Sequence, residues 1–279
     1  MQTYFDSAQV GPFTTADVVA RLRSSALRFA TLIGQVTDPA ATSRHLPGWT
    51  AREIVGHVTV LPDYYMEIAS GTAGLIDHAT QMAGKNVENL DRVEDLTLDQ
   101  CAERIVSGID AFCDLVEHDA TSTVAFQAGS SGTLVQVAAI AVGEYEVHGL
   151  DLAAAIGAPW TIGKQAAAMC VSAALPVAGA QWIDAAASAG HSGSYRMKLR
   201  GGLGTIHVEF VDGAATIHGS PDSAAENRAS TLISADPVAL LQVFYRRQSQ
   251  WAAIAKGQML AYGTRPIRAL TLKDKFLPI

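Results

Sequence analysis

The chain is organised around GEYEVHGLDL, residues 143–152, which lies in a long apolar segment without proline. In a helix, Glu144 and His148 lie one turn apart on the same face, and Asp151 lies nearly in line below them. Three potential metal ligands would then point towards one spot. A solvated polar face is the alternative, but the flanking residues are mostly apolar and a buried carboxylate must be paired or metal-bound. The stretch therefore predicts half of a metal site, which needs a third ligand from another helix.

The best candidate for the third ligand is on a helix predicted to start at Thr50. Thr50 and Glu53 have the spacing of a capping box. His57 follows about two turns into this helix among apolar residues, so it should face the core. A lone histidine on an apolar face is often a satisfied core residue, and this alternative stays open. A two-metal site that also uses Glu53 is disfavoured, because the cap at Thr50 claims that carboxylate.

Length and composition predict a two-domain protein with sizeable cores. The chain has 279 residues, of which 49% are hydrophobic, and its mean hydropathy is +0.17. No apolar run reaches the roughly 20 residues of a membrane-spanning helix, and the polar residues 1–6 are not a signal peptide. We therefore expect a cytoplasmic protein without a membrane partner. Three cysteines without a C-x-x-C pair predict buried thiols rather than disulfides.

Charge is distributed unevenly along the chain, whose net charge is -7. Residues 1–160 carry 8 Lys and Arg against 20 Asp and Glu, whereas residues 161–279 carry 12 against 7. The two parts therefore resemble different domains. The acidic first part argues against a nucleic-acid partner, because phosphate binding needs clustered cations. The basic second part has no Arg/Lys block and suits small anions at most.

Helical periodicity predicts four helices in the acidic part. One opens at Thr14 and ends near Gln35, one starts at Thr50, one covers about 97–118, and one contains the opening stretch. Residues 120–131 are expected to be a linker, extended around 124–126. An alanine-rich helix over about 163–187 should follow, kinked or broken at Pro176.

After residue 193 the period of the apolar residues changes to two. This change predicts strands at 195–199, 205–211, 215–218, 231–233 and 258–262, with a hairpin turn at Asp212-Gly213, a helix after Asp236 and a helical tail. The predicted fold class is α+β with two domains. Residues 1–160 form a helical bundle, 161–190 a connecting helix, and 191–279 an α+β domain.

Two motifs, GWTAREIVGH at 48–57 and EYEVHGLDL at 144–152, resemble the paired signatures of the mycothiol-dependent maleylpyruvate isomerase family. The resemblance covers nearly the whole chain. It implies a DinB-like four-helix bundle that holds zinc through His57, Glu144 and His148, followed by an α+β domain similar to sterol carrier protein 2 (SCP2-like). Leu150 stands where members commonly have tryptophan, so the lining of the site is expected to differ there.

Two histidines and one carboxylate leave an open position on zinc, as in catalytic sites. A thiol that enters this position loses its proton at neutral pH, because the dication stabilises the thiolate. The resemblance implies that the thiol is mycothiol. Its thiolate adds to an activated cis double bond of a small electrophile, the resulting single bond rotates, and elimination gives the trans isomer. Other members would use the thiolate for S-transfer. Asp151 would orient a ligand or make an ordinary polar contact.

Two other classes of function remain open from the sequence. In a metal-assisted hydrolase, Glu53 or Glu146 would serve as base. In a non-catalytic carrier, the second domain would bind an apolar ligand. The sequence permits a monomer or a homodimer.

A dianionic substrate would need cations to offset the acidic bundle. Arg246 and Arg247, at the end of a predicted helix, are candidates to clamp a carboxylate. The alternative is that both are helix-end cations that face water, which leaves Arg196, Arg200 and Arg228 as the next candidates.

Overall fold

The computed structural model describes residues 8–220 and 229–277. Over the first part of this region the chain forms α1 (Thr15–Ile33), α2 (Ala51–Ser70), α3 (Met82–Asp91), α4 (Leu98–Asp119) and α5 (Leu134–Ile156). Two short antiparallel strand pairs accompany these helices: β1 (Gln9–Val10) with β2 (Phe13–Thr14), and β3 (Thr123–Ala125) with β4 (Ser131–Thr133).

Helices α1, α2, α4 and α5 pack against one another as a four-helix bundle, as the periodicity predicts. Capping boxes begin α1 at Thr14, α2 at Thr50 and α4 at Thr97, where each threonine hydroxyl accepts from the backbone three residues on. Helix α3 was not predicted, and it contains no buried residue. The predicted linker over 120–131 contains β3, which pairs with β4 as a small hairpin beside the bundle.

The second part of the described chain continues with α6 (Lys164–Ala178), α7 (Ala185–Ser188), α8 (Pro237–Phe244) and α9 (Gln250–Ala255). Its strands are β5 (Gly193–Leu199), β6 (Thr205–Val211), β7 (Ala214–Ser220), β8 (Thr231–Ala235) and β9 (Met259–Gly263). Among the described residues these strands form one sheet in the order β7-β6-β5-β8-β9. The β5–β8 pair is parallel and the other pairs are antiparallel.

Two local predictions for this half can be judged directly. The hairpin turn between β6 and β7 is confirmed, since Asp212 and Gly213 have φ of 50° and 88°, which is typical of a two-residue turn. The predicted break at Pro176 is close to the observed end of α6. Pro176 lies in the last turn of this helix, which ends at Ala178, so the helical prediction to residue 187 was too long.

Helix α6 joins the two halves by packing against α5 on one side and against α8, β6 and β7 on the other. Gly143 of α5 permits this packing, because a Cβ there would lie 2.1 Å from the Cys170 sulfur. The buried apolar residues therefore form a core that continues from the bundle to the sheet.

The α+β fold class is confirmed. The division into 1–160, 161–190 and 191–279 stays a prediction, as do the DinB-like and SCP2-like assignments of the two parts. None of the helices formed by the described residues is long and apolar enough to span a bilayer.

Candidate metal centre

His57, Glu144 and His148 converge in the bundle. Each offers one ligand atom, and these three atoms lie within 4.8 Å of one another. Glu144 Oε2 lies 3.4 Å from His148 Nε2 and 3.8 Å from His57 Nε2. The two histidines are buried and the glutamate is half-buried. The structure thus places together the three residues that the sequence singled out, and their role as metal ligands remains a prediction.

The local sequence explains how α5 presents these groups. Nearly every residue of the helix from Leu134 to Ala153 is buried, so its charged side chains must be paired. Glu144 and His148 face α2, where His57 packs edge-on against His148 with ring centroids 4.8 Å apart. Glu146 faces α1 instead, where its carboxylate accepts from Ser25 and Arg28 at 2.8 and 3.1 Å.

Asp151 and Arg247 form a buried ion pair behind His148. Arg247 donates to both Asp151 oxygens, at 3.0 and 2.6 Å, and to the Tyr245 carbonyl at 2.6 Å. His148 Nδ1 lies 3.1 Å from Asp151 Oδ2. A hydrogen bond from Nδ1 to the carboxylate leaves Nε2 directed at Glu144, so this contact orients the His148 ring. The role of Asp151 in orienting a metal ligand stays a prediction.

Tyr245 makes a second contact from the C-terminal half. Its hydroxyl donates to Glu144 Oε1 at 3.2 Å, which leaves Oε2 directed at the two histidines. Sequence reasoning did not identify Tyr245. The residue is 101 positions from Glu144, and no local pattern marks it. The nearest feature of the sequence that pointed to this region was the pair of cations that follows Tyr245, Arg246 and Arg247.

Contacts inside the cluster determine its protonation. Burial would raise the pKa of Glu144, but contacts with His148 and His57 outweigh burial and hold the pKa well below its usual value. Burial would lower the pKa of His148, but hydrogen bonds to Asp151 and Glu144 raise it to about 9. Burial lowers the pKa of His57, so this ring is uncharged at neutral pH. An ion that binds here therefore displaces a proton from His148.

The residues fit a zinc ion. Two imidazoles and one carboxylate are a common catalytic zinc donor set that leaves one position open. His57 Nδ1 is buried and has no hydrogen-bond partner among the described residues. No hydrogen bond within the protein therefore determines which ring nitrogen carries the proton, and none competes with metal binding. Trp49 packs edge-on against His57 with ring centroids 5.5 Å apart, which confines the ring to this position.

The cluster lies at a cavity of about 230 Å³. Its walls are mainly apolar and aromatic, and come from α2, α5, α6, α8 and the segments before α2 and after α6. A polar edge is provided by three residues of α3, Lys85, Asn86 and Asn89. Leu150 was expected to alter the lining, but it packs against the core outside the cavity.

The two arginines proposed as a substrate clamp differ in position. Arg246 is exposed, has φ of 58° and lines a separate cavity of the C-terminal half, so it is not part of the site. Arg247 lines the cavity beside the cluster, but the carboxylate that it clamps is Asp151. It does not face water, because its side chain is only 7% exposed.

Of the other candidate arginines, Arg200 and Arg196 do not line the cavity. Arg200 binds Ser234 and the Gly257 carbonyl. Arg196, on β5, does not line the cavity either. Arg228 falls outside the described residues.

Neither carboxylate proposed as a hydrolytic base faces the cluster. Glu53 is used by the cap of α2, where it accepts from the backbone and hydroxyl of Thr50, both at 2.7 Å. Glu146 is bound by Arg28 on the opposite face of α5. These contacts therefore do not favour the hydrolase alternative, in which one of them serves as base. The capping box at Thr50 is confirmed, and a single metal per chain stays a prediction.

Facing helices of a bundle bring two histidines and a carboxylate to the base of a cavity. This arrangement defines a helical-bundle protein with a candidate metal centre. The chain also matches the family described as mycothiol maleylpyruvate isomerase N-terminal domain, over residues 12–153. It belongs to this family. The matched region contains His57, Glu144, His148 and Asp151, but neither Tyr245 nor Arg247.

Two solved structures share the fold over almost the full chain. They are crystal structures of the mycothiol-dependent maleylpyruvate isomerase and of a histidine-to-alanine mutant of it. Each is 14% identical to the chain, with a TM-score of 0.51, and the match covers 94% of this chain and 95% of the other. Among curated proteins, no sequence matches the chain.

Proposed function

We propose that this protein is a zinc-dependent enzyme of the maleylpyruvate isomerase type, which uses mycothiol as its thiol cofactor. The reaction is cis–trans isomerisation of a small electrophile, or S-transfer to one. Family membership over residues 12–153 and the fold shared with the mycothiol-dependent maleylpyruvate isomerase support the proposal. A cytoplasmic location, predicted from the sequence, belongs to the same proposal.

One observation carries the proposal. The candidate ligands His57, Glu144 and His148 meet at a cavity that is mainly apolar and has space beside them. A volume of about 230 Å³ exceeds the roughly 15 Å³ that a single water needs by an order of magnitude. A structural zinc site is closed by four protein ligands, whereas a catalytic site keeps a position open to a cavity.

The chain's own residues would bind and position the reactants. Zinc held by His57, Glu144 and His148 would supply a dication that stabilises a thiolate at neutral pH. Asp151 orients His148, and Tyr245 orients Glu144. The aromatic and aliphatic walls exclude water, which strengthens electrostatic interactions at the cluster.

The thiol has to come from outside the chain. Cys101, Cys113 and Cys170 are all buried, and none of them lines the cavity. Burial raises the pKa of Cys113 and of Cys170 to about 12, so neither thiol ionises at neutral pH. A small thiol that diffuses into the cavity is the remaining source of a thiolate.

Elemental analysis and steady-state assays test the proposal. We expect one zinc per chain after zinc loading, and isomerisation of maleylpyruvate that requires both zinc and mycothiol. Parallel assays with other cis electrophiles and with S-transfer acceptors separate the two reaction types. Substrate turnover without any thiol would contradict the role of mycothiol. Protein that retains no metal after zinc loading would contradict the role of zinc.

A further inference from the structure

Helix α3 contributes a polar edge to the cavity. Lys85, Asn86 and Asn89 are half-buried and line the cavity. Their spacing places them on one face of the helix, since residues three and four apart are neighbours on a helix surface. Val87 and Glu88, which lie between them in sequence, are exposed on the other side. Thus three polar residues of α3 line the same cavity as the candidate metal centre.

Among the described residues that line the cavity, Lys85 is a cation whose charge remains available to a ligand. The other lining cation is Arg247, whose guanidinium is occupied by both oxygens of Asp151 and by the Tyr245 carbonyl. Lys85 pairs with Glu88 at 3.3 Å, and the Glu88 side chain is 71% exposed. An ion pair this exposed contributes little free energy, so a ligand carboxylate can replace Glu88 at small cost.

The two amides are unused within the protein. Among the residues that the structure describes, neither the Asn86 nor the Asn89 side chain has a hydrogen-bond partner. Each primary amide offers two donor hydrogens and one acceptor oxygen. With the Lys85 ammonium they form a set of donors that suits a carboxylate at an otherwise apolar edge.

We propose that Lys85, Asn86 and Asn89 bind a carboxylate of the electrophilic substrate, and hold its reactive part towards His57, Glu144 and His148. The inference deepens the proposed function, on which it rests, by naming residues that position the substrate carboxylate. It differs from the arginine clamp considered from the sequence, because Arg247 is bound by Asp151 and Arg246 does not line the cavity. Lys85 supplies the charge, and the two asparagines fix the orientation of the carboxylate.

Direct binding of an unreactive dicarboxylate tests the inference without any turnover. Maleate is titrated by calorimetry into zinc-loaded protein in the absence of thiol. Lys85→Met keeps the aliphatic stem and removes the charge, and we expect it to weaken maleate binding by about tenfold or more, the effect of one charged hydrogen bond. Lys85→Arg should retain most of the affinity.

Glu88→Gln is the matched control. It breaks the same surface ion pair on the same helix but leaves the Lys85 ammonium in place, so maleate affinity should stay unchanged or rise. Helical circular dichroism and zinc content verify that each variant is folded and loaded. Because α3 has no buried residue, these substitutions do not disturb the core.

Kinetic assays then show whether the polar edge binds the electrophile or mycothiol. If the edge binds the electrophile, Lys85→Met and Asn89→Leu raise the KM for maleylpyruvate and leave the KM for mycothiol unchanged. A raised KM for mycothiol alone would overturn the assignment to the electrophile. Wild-type protein that binds no maleate, or equal maleate affinities of wild type and Lys85→Met, would also overturn it. A Lys85-dependent maleate affinity in a protein without isomerase activity would support this site and refute the proposed reaction.

Discussion

The cavity has two walls that come from different halves of the chain. The bundle wall, formed by α2 and α5, carries the candidate ligands His57, Glu144 and His148. The C-terminal wall, at the end of α8, carries Tyr245 and Arg247, which contact Glu144 and Asp151. The first wall offers donor atoms, and the second fixes the orientation of the groups that carry them. The bundle therefore supplies the candidate ligands, and the C-terminal half supplies contacts that orient them.

The same comparison explains the charge distribution. Residues 1–160 are strongly acidic and residues 161–279 are basic, which predicts that cations of the second part approach the first. Among the described residues, Arg247 of the second part and Asp151 of the first form a buried ion pair, and their side chains are 7% and 0% exposed. A net charge predicts that the two halves attract, but it does not predict which residues meet.

The largest expected effect concerns the bundle wall. His148→Ala should abolish zinc binding and activity, because only His57 and Glu144 would remain as candidate ligands. The bundle should stay folded, since its apolar core does not depend on an ion. Zinc content by elemental analysis and helical circular dichroism measure the two results. Loss of the helical signal at room temperature would show that the metal is structural, which would favour the carrier alternative.

The next prediction concerns the C-terminal wall. Arg247→Ala leaves the buried Asp151 carboxylate without its bidentate partner, and removal of one partner of a buried pair destabilises a protein by about 3–5 kcal/mol. Urea unfolding measures this loss. Arg246→Ala is the control, because Arg246 is exposed and should cost less than about 0.5 kcal/mol.

A further variant tests the cause of that loss. Asp151→Asn, added to Arg247→Ala, removes the stranded charge and should recover part of the stability. Equal stabilities of the two arginine variants would show that the ion pair does not hold the walls together.

The bundle wall could be predicted because its signals are local. Glu144 and His148 are one helical turn apart, and the Thr50 capping box places His57 in a helix that faces the core. The contacts of the C-terminal wall could not be predicted, although Arg247 was a candidate for the site, because they join residues 96 and 101 positions apart.

Two further features could not be predicted from the pattern of residue types. Arg246 and Arg247 are adjacent cations, but the left-handed backbone at Arg246, with φ of 58°, directs only Arg247 into the cavity. Helix α3 has no buried apolar stripe, so periodicity did not reveal it or the edge that it forms.

A smaller effect is expected where α5 packs closely against Cys170 of α6. In Gly143→Ala the new Cβ would lie 2.1 Å from the Cys170 sulfur, so α5 and α6 must separate, at about 1–3 kcal/mol of stability. Adding Cys170→Ala removes the obstructing atom and should restore part of the loss. Gly84→Ala on α3 is the control, because nothing lies within 4 Å of its Cβ and the helix should gain up to about 1 kcal/mol. A harmless Gly143→Ala would mean that the two halves do not approach this closely.

The smallest effect isolates the orienting contact itself. Tyr245→Phe keeps the ring in the C-terminal wall and removes the hydroxyl that donates to Glu144 Oε1. A hydrogen bond to a charged group contributes about 1.5–3 kcal/mol, but the Glu144 side chain is 19% exposed, so water can replace part of it. We therefore expect zinc affinity, measured by competition with a chelator, to fall by about three- to tenfold with unchanged helical content.

Tyr64→Phe is the matched control for this variant, because Tyr64 lines the same cavity from the bundle wall and its hydroxyl accepts from Gln127 rather than contacting Glu144. Its zinc affinity should equal that of the wild type. If Tyr245→Phe also binds zinc as tightly as the wild type, Glu144 keeps its orientation without help from α8. The C-terminal wall would then act on the candidate ligands through Arg247 and Asp151 alone, and the contribution of the second half would reduce to one ion pair.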